Sequence, residues 1–425
     1  MPLFSDLANQ LYQQLQQLTR PSGLIRLQAE INASVESQVL LGWLKGQEVF
    51  PHFFWQSRDT ALTFAAIGNV RRFDQLDEAQ QFSLQSNFQL IGGLQFEGQC
   101  RFILPRCLFA KNAEKLTACL YLDADDFVQE YDICRRLIQG LDRISTLADT
   151  DNPILSEHTA SDFNHWEKNI EQAVTWISQQ RLNKVVLANA TTFTAENPIS
   201  AYDLLSASQR KNLGCYHFLW SEDGQSTFIG SSPERLYLRQ DRQFHTEALA
   251  GTVAVSDNLA ETERNALWLL SDHKNIYENL LVVDDISSHL ADCAEDITVG
   301  DAEIKRLHNV QHLRRKIQTV LAPQVTDADC LARIHPTAAV AGLPRSIAKQ
   351  FIRQHEPFER EWYAGTLGYF TPQSAEFCVT LRSALIEQNR ITVYAGAGIV
   401  EESTAKSEWA EIERKSLAIA GLLTK

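Results

Sequence analysis

The 425-residue chain has no C-x-x-C pair, no long apolar run and no surplus of positive charge, and each absence removes a class of function. The eight cysteines (Cys100, Cys107, Cys119, Cys134, Cys215, Cys293, Cys330 and Cys378) are scattered singly. That pattern fits reduced, mostly buried thiols in a cytoplasmic protein. No stretch approaches the roughly eighteen apolar residues of a membrane-spanning helix. Residues 1–18 carry a Gln/Leu amphipathic pattern, not the basic and then apolar regions of a signal peptide. The net charge of −14 argues against a nucleic-acid partner and against an anionic membrane surface. An anionic ligand would have to be met by a few local Lys and Arg residues or by a metal, because the overall field repels it.

Several catalytic signatures are missing as well. There is no G-x-S-x-G elbow and no G-x-x-x-x-G-K-[ST] loop. Gly396-Ala397-Gly398 lacks a third glycine and runs into Glu401 and Glu402, the wrong sign for a pyrophosphate. His308 and His312 are four apart, but position 309 is Asn, so H-E-x-x-H fails. Beside Arg314, Arg315 and Lys316 they read as a solvated or packed helix face.

What is present is an ordinary globular composition, 44% hydrophobic and 22% charged, enough for a large core. Strand and helix signals are interleaved without regular β-α-β alternation, and no internal repeat occurs, so an α+β fold is expected. The polar stretch around residues 148–153 divides an N-terminal α+β part (1–150), expected to pack into the same globule, from a second part (155–425). The expected elements include helices over 126–147, 161–180, 259–291 and 310–317, and strands over 184–192, 375–385 and 390–394.

Near the C-terminus a strand, a glycine turn and a helix start follow one another. Ser403 or Thr404 can cap that helix. Along it Glu408, Glu411 and Lys415 share one face. Two carboxylates and an ammonium beside close-approach glycines can hold a divalent cation and an anion together. Lys184 stands in Asn183-Lys184-Val185-Val186-Leu187-Ala188-Asn189, either as an edge lysine or as a general base in an apolar setting. Glu234 follows a Ser231-Ser232-Pro233 turn and is either solvated or functional. Gly251 beside Thr252 would let backbone approach a ligand or close a hairpin. Lys274 and Glu278, four apart, form a surface pair or part of a site. Arg382, among apolar neighbours, needs a carboxylate partner, internal or from a ligand.

Order and spacing then narrow these readings. The set comprises Lys184-Val185-Val186-Leu187-Ala188, Gly230-Ser231-Ser232-Pro233-Glu234-Arg235 and Glu247-Ala248-Leu249-Ala250-Gly251-Thr252. Further along come Lys274-Asn275-Ile276-Tyr277-Glu278-Asn279, His335-Pro336-Thr337-Ala338-Ala339-Val340, Trp362-Tyr363-Ala364-Gly365, Leu381-Arg382 and Ala395-Gly396-Ala397-Gly398 with Glu408-Trp409-Ala410-Glu411. Together they resemble the chorismate-utilising enzymes over about 155–425. With Phe50-Pro51-His52-Phe53-Phe54-Trp55 and Val310-Gln311-His312-Leu313 added, the chain resembles the menaquinone-specific isochorismate synthases of that family over nearly its whole length.

The resemblance implies large antiparallel sheets packed face to face with helices outside. It implies magnesium (Mg2+) on Glu278 and Glu411 with Glu408 close by, hard oxygen ligands that suit that ion. Substrate would be held by Gly251, Thr252, Lys274, Tyr363, Arg382, Gly396, Gly398 and Lys415. Lys184 matches the base that activates water and Glu234 the acid; burial favours the neutral form of both. The aminating synthases carry Gln where Lys184 stands, so water is the expected nucleophile and no glutaminase partner is implied. Aminodeoxychorismate synthases often carry a nucleophilic Lys where this chain has Ala250. A salicylate synthase, which goes on to eliminate pyruvate, is the alternative; the alanine-rich 336–340 segment leans against it. A siderophore-pathway isochorismate synthase and either a monomer or a homodimer also remain open.

Overall fold

The computed structural model describes residues 2–19 and 21–423. Its strands pair antiparallel throughout the described ladders, as expected where hydrophobic segments alternate with short polar connections. One run of neighbours passes from Ile154–Thr159 through Lys184–Ala195, Arg390–Ile399, Ser383–Glu387, Ser226–Ser232 and Tyr216–Ser221 to His52–Gln56 and Thr63–Phe73. The strand Cys100–Lys111 then joins Thr63–Phe73 and leads on to Lys115–Asp123 and Leu24–Asn32. The same Cys100–Lys111 strand opens a second run through Leu90–Leu94, Thr366–Phe370, Ser374–Val379, Arg235–Gln240 and Gln243–Ala254 to Val310–Leu321.

Strands from the first 150 residues therefore pair directly with later ones, His52–Gln56 with Tyr216–Ser221 and Leu90–Leu94 with Thr366–Phe370. The larger core cluster takes Trp55, Val185 and Leu187 from the first run and Phe102, Tyr237 and Phe377 from the second, so the two layers face each other across it. A second cluster packs Phe4, Leu7, Leu11, Leu40 and Trp43 of outer helices against Ile229, Ile391 and Val393. Among the described residues no helix is long and apolar enough to cross a membrane.

Four local expectations are corrected. The 310–317 segment is not a helix but the start of the strand Val310–Leu321. The 259–291 helix is two helices, Leu259–Leu269 and His273–Leu290, because Asp272 caps the second by accepting the Asn275 amide. The 375–385 strand breaks into Ser374–Val379 and Ser383–Glu387, leaving Arg382 between them at φ 47°. Gly396-Ala397-Gly398 is no turn: it lies within the strand Arg390–Ile399, and the chain turns only after Val400.

Candidate active site

The missing side chains at Gly396 and Gly398 are what open the site. In the ladder they stand opposite Ala188 and Val186, on the face that Lys184 shares. A Cβ on Gly398 would overlap Glu278 Oε1 and sit 2.9 Å from Lys184 Cε; one on Gly396 would lie 2.8 Å from the Tyr363 hydroxyl. Room otherwise taken by two side chains opens into a cleft whose empty space, out to the solvent at its mouth, is about 720 Å³. Around it lie ten of the thirteen residues singled out from sequence: Glu234, Gly251, Thr252, Glu278, Tyr363, Arg382, Gly396, Gly398, Glu411 and Lys415. Lys184, Lys274 and Glu408 stand just behind the wall, each in contact with a wall carboxylate or with another of the three.

Gly251 sits at a bulge in Gln243–Ala254, at φ 86°, a left-handed conformation that glycine adopts without steric cost. The helix His273–Leu290 holds that bulge: Asn275 Oδ1 accepts the Thr252 amide at 3.2 Å. One turn on, the fully buried Asn279 donates to the carbonyls of Ala248 and Leu313, both at 3.1 Å, and its Oδ1 accepts from Arg315. Asn279 thus fixes the helix turn that carries Glu278 over the pocket. At the other end Thr404 caps Ala405–Ala420 and Ser403 accepts the Val400 amide, setting the exit angle of the helix that carries Glu408, Glu411 and Lys415.

Three carboxylates are each met by a lysine. Lys184, wholly buried, places Nζ 2.9 Å from Glu278 Oε1, off the direction of an aligned hydrogen bond. Lys274 Nζ donates to Glu408 Oε1 at 2.8 Å. Lys415 Nζ lies 2.7 Å from Glu411 Oε1 and donates to the Gly396 carbonyl at 3.0 Å. Burial and then Glu411 push the Glu408 carboxyl up. Burial also opposes ionisation of Glu411, but Lys415 outweighs it and holds that carboxyl below its ordinary value. Lys274 is raised against burial by Glu408 first, then Glu278 and Glu411, so all three acids act on it. Among the described residues no three acidic, histidine or cysteine side chains are close enough to form a ready metal cage.

Arg382 is the exception to this pairing. It is 7% exposed, yet among the described residues it meets no carboxylate; its guanidinium donates to His312 Nε2 at 2.7 Å. An arginine can only donate, so His312 Nε2 accepts and its proton is on Nδ1, which faces Thr252 Oγ1 at 3.1 Å. Burial, then Arg382 and Lys415, hold His312 far below its ordinary value and therefore neutral. His312 lines the cavity although the sequence pattern of its segment points to a helix; Tyr394, stacked on Tyr363 with ring centres 5.2 Å apart, lines it as well and carries no sequence signal of its own. A buried guanidinium without a counter-charge is costly unless a ligand provides one.

Glu234 sits between the strands Ser226–Ser232 and Arg235–Gln240, 4% exposed. Burial, then the Glu247 charge behind it, pushes its carboxyl up to about 8. A cavity with unpaired arginine, a carboxyl held protonated and a buried lysine suits proton transfer on a small anion.

Fold and site together define an antiparallel α+β enzyme-like protein with an anion pocket between its layers. Residues 94–424 match the family described as chorismate binding enzyme. The chain is 42% identical over 420 residues to isochorismate synthase MenF of Haemophilus influenzae, covering 99% of this chain and 96% of that protein. It superposes on the menaquinone-specific isochorismate synthase MenF of Escherichia coli with a TM-score of 0.92 at 38% identity, covering 98% of this chain and 99% of that one. Anthranilate synthase component I of Streptococcus pneumoniae shares the fold at a TM-score of 0.66 and 20% identity, over 95% and 93% of the two chains. The chain belongs to the chorismate-binding enzyme family.

Proposed function

We propose that the protein is an isochorismate synthase that converts chorismate to isochorismate, feeding menaquinone synthesis. The observation that carries this is the buried, carboxylate-free Arg382 facing the same cavity as the protonated Glu234. In this reading Arg382, Tyr363 and the amides around Gly396 and Gly398 receive the enolpyruvyl carboxylate, and Lys274 and Lys415 add positive charge nearby. Gly251 and Thr252 abut the ring.

Lys184 takes a proton from water as the water oxygen bonds to C2; the ring double bonds shift, and the C4 oxygen leaves with the proton of Glu234. One water enters and one leaves, so substrate and product are isomers. Lys184 and Glu234 approach from opposite ends of the reacting system, and fixing the dianion between them turns the encounter into a unimolecular step.

Glu278 and Glu411, with Glu408 beside them, would hold magnesium; hard carboxylates that each have a lysine nitrogen against them suit that ion. When bound it supplies positive charge to the ring carboxylate. The free state of all eight cysteines supports a reducing, cytoplasmic setting. Lysine at 184 favours water over ammonia, so no glutaminase subunit is needed.

Incubation of the purified protein with chorismate and magnesium, with products separated by chromatography, tests the reading. Isochorismate alone is expected. Ala339 and Val340 line the cavity without a hydroxyl; salicylate with pyruvate would replace this reading with a salicylate synthase, and no turnover would leave a binding protein.

A further inference from the structure

Behind Glu234 lies a buried ion pair that the reaction as derived does not use. Arg58, in the loop after the strand His52–Gln56, has a side chain only 1% exposed. Its guanidinium forks onto Glu247 at 2.5 and 2.7 Å and also donates to the Pro233 carbonyl. Glu247 Oε1 in turn accepts the Arg235 amide at 3.0 Å. The backbone is therefore gripped one residue before and one residue after Glu234. Arg235 extends the network to Asp59, Glu376 and the Tyr216 hydroxyl, and the Arg58 guanidinium lies 5.3 Å from the centre of the Tyr216 ring. Neither Arg58 nor Glu247 lines the cavity.

We propose that Arg58 and Glu247 are positioning residues for the acid: they fix the Pro233–Arg235 backbone and set one carboxylate behind Glu234, which keeps its carboxyl ready to donate. The inference rests on the reading of Glu234 as the general acid. Four charged groups act on the Glu234 carboxyl: Glu247 from Gln243–Ala254, Lys184 from Lys184–Ala195, Lys415 from the C-terminal helix, and Arg58. After burial, Glu247 is the largest influence and the one that raises the carboxyl; the three cations lower it. Glu247 itself stays ionised, since Arg58, Lys305 and the Arg235 amide outweigh its burial. A residue from the first 150 positions thus governs the proton used by the later part of the chain.

The test is the pH dependence of kcat for chorismate conversion, whose alkaline limb follows deprotonation of the acid. Glu247→Gln keeps the shape but removes the charge and leaves Arg58 facing the acid, so the limb is expected to move to lower pH by about one unit. Arg58→Met removes the strongest influence that keeps the buried Glu247 ionised, so Glu247 takes up a proton and the limb is expected to move to lower pH in this variant too. If either single variant is insoluble, the double variant, which buries no lone charge, carries the test with a smaller move to lower pH. Loss of kcat at every pH with the limb unmoved in the soluble variants would reduce the pair to a structural role. Glu234→Gln, run alongside, separates the ideas. If it turns over like wild type, the acid assignment falls; if it is inactive while the pair variants keep the wild-type limb, only the positioning role falls.

Discussion

Lys184→Ala is expected to lower kcat for chorismate conversion by about 10³-fold while the dissociation constant for chorismate changes by less than about threefold. Lys184 is wholly buried and its Nζ has no aligned hydrogen-bond partner, only the oblique contact with Glu278. Its long side chain passes beside Gly398, where the structure has removed a Cβ to let it through. Removing the amine leaves water at the same place with no base to take its proton. The groups that hold the substrate are on other elements: Arg382, Tyr363 and the Gly396–Gly398 strand. Binding therefore persists while turnover fails. The variant will also be less stable, since it leaves a void and an unpaired Glu278; calorimetry separates that loss from the kinetic one. Wild-type kcat in a folded Lys184→Ala protein would sink the base assignment.

The second large effect is on binding. Arg382→Leu is expected to raise the dissociation constant for chorismate by roughly two orders of magnitude or more, the range for removing one partner of a buried charge pair. Its thermal midpoint should be no lower than that of wild type. The combination is unusual and follows from the missing counter-charge. In the ligand-free protein Arg382 is buried against neutral His312 alone, so its desolvation is uncompensated and its removal relieves a cost. With substrate bound, the same guanidinium meets a carboxylate in a low-dielectric cavity. A drop of several degrees together with unchanged binding would mean that Arg382 serves the fold and not the ligand.

Much of the site was legible because chemistry fixes residue type at each position. Lys184, Glu234, Glu278, Arg382 and Glu411 were found from motif order, and four of the five line the cavity, with Lys184 reaching its wall. The conformations were less legible. A glycine pair reads as a turn when only one strand is visible; that it spares two Cβ atoms opposite Ala188 and Val186 depends on a partner strand about 200 positions earlier in the sequence. His312 was hidden because Arg314, Arg315 and Lys316 break the alternation that marks a strand. Their side chains are met by groups on other elements, Arg314 by Glu303 and Glu247, Arg315 by Asn279 and Lys316 by Glu303. The Arg58–Glu247 pair spans 189 residues, and no local pattern could have joined its members.

The most direct measurement is the fate of solvent oxygen. Chorismate turned over by the wild-type protein in H2(18)O should give isochorismate carrying one 18O, bonded to C2, as mass spectrometry with fragment assignment would read it. That result is what water activated by Lys184 and departure of the C4 hydroxyl with the proton of Glu234 require. Isochorismate without solvent label would mean that the original hydroxyl migrates within the substrate, and would contradict the division of roles between Lys184 and Glu234.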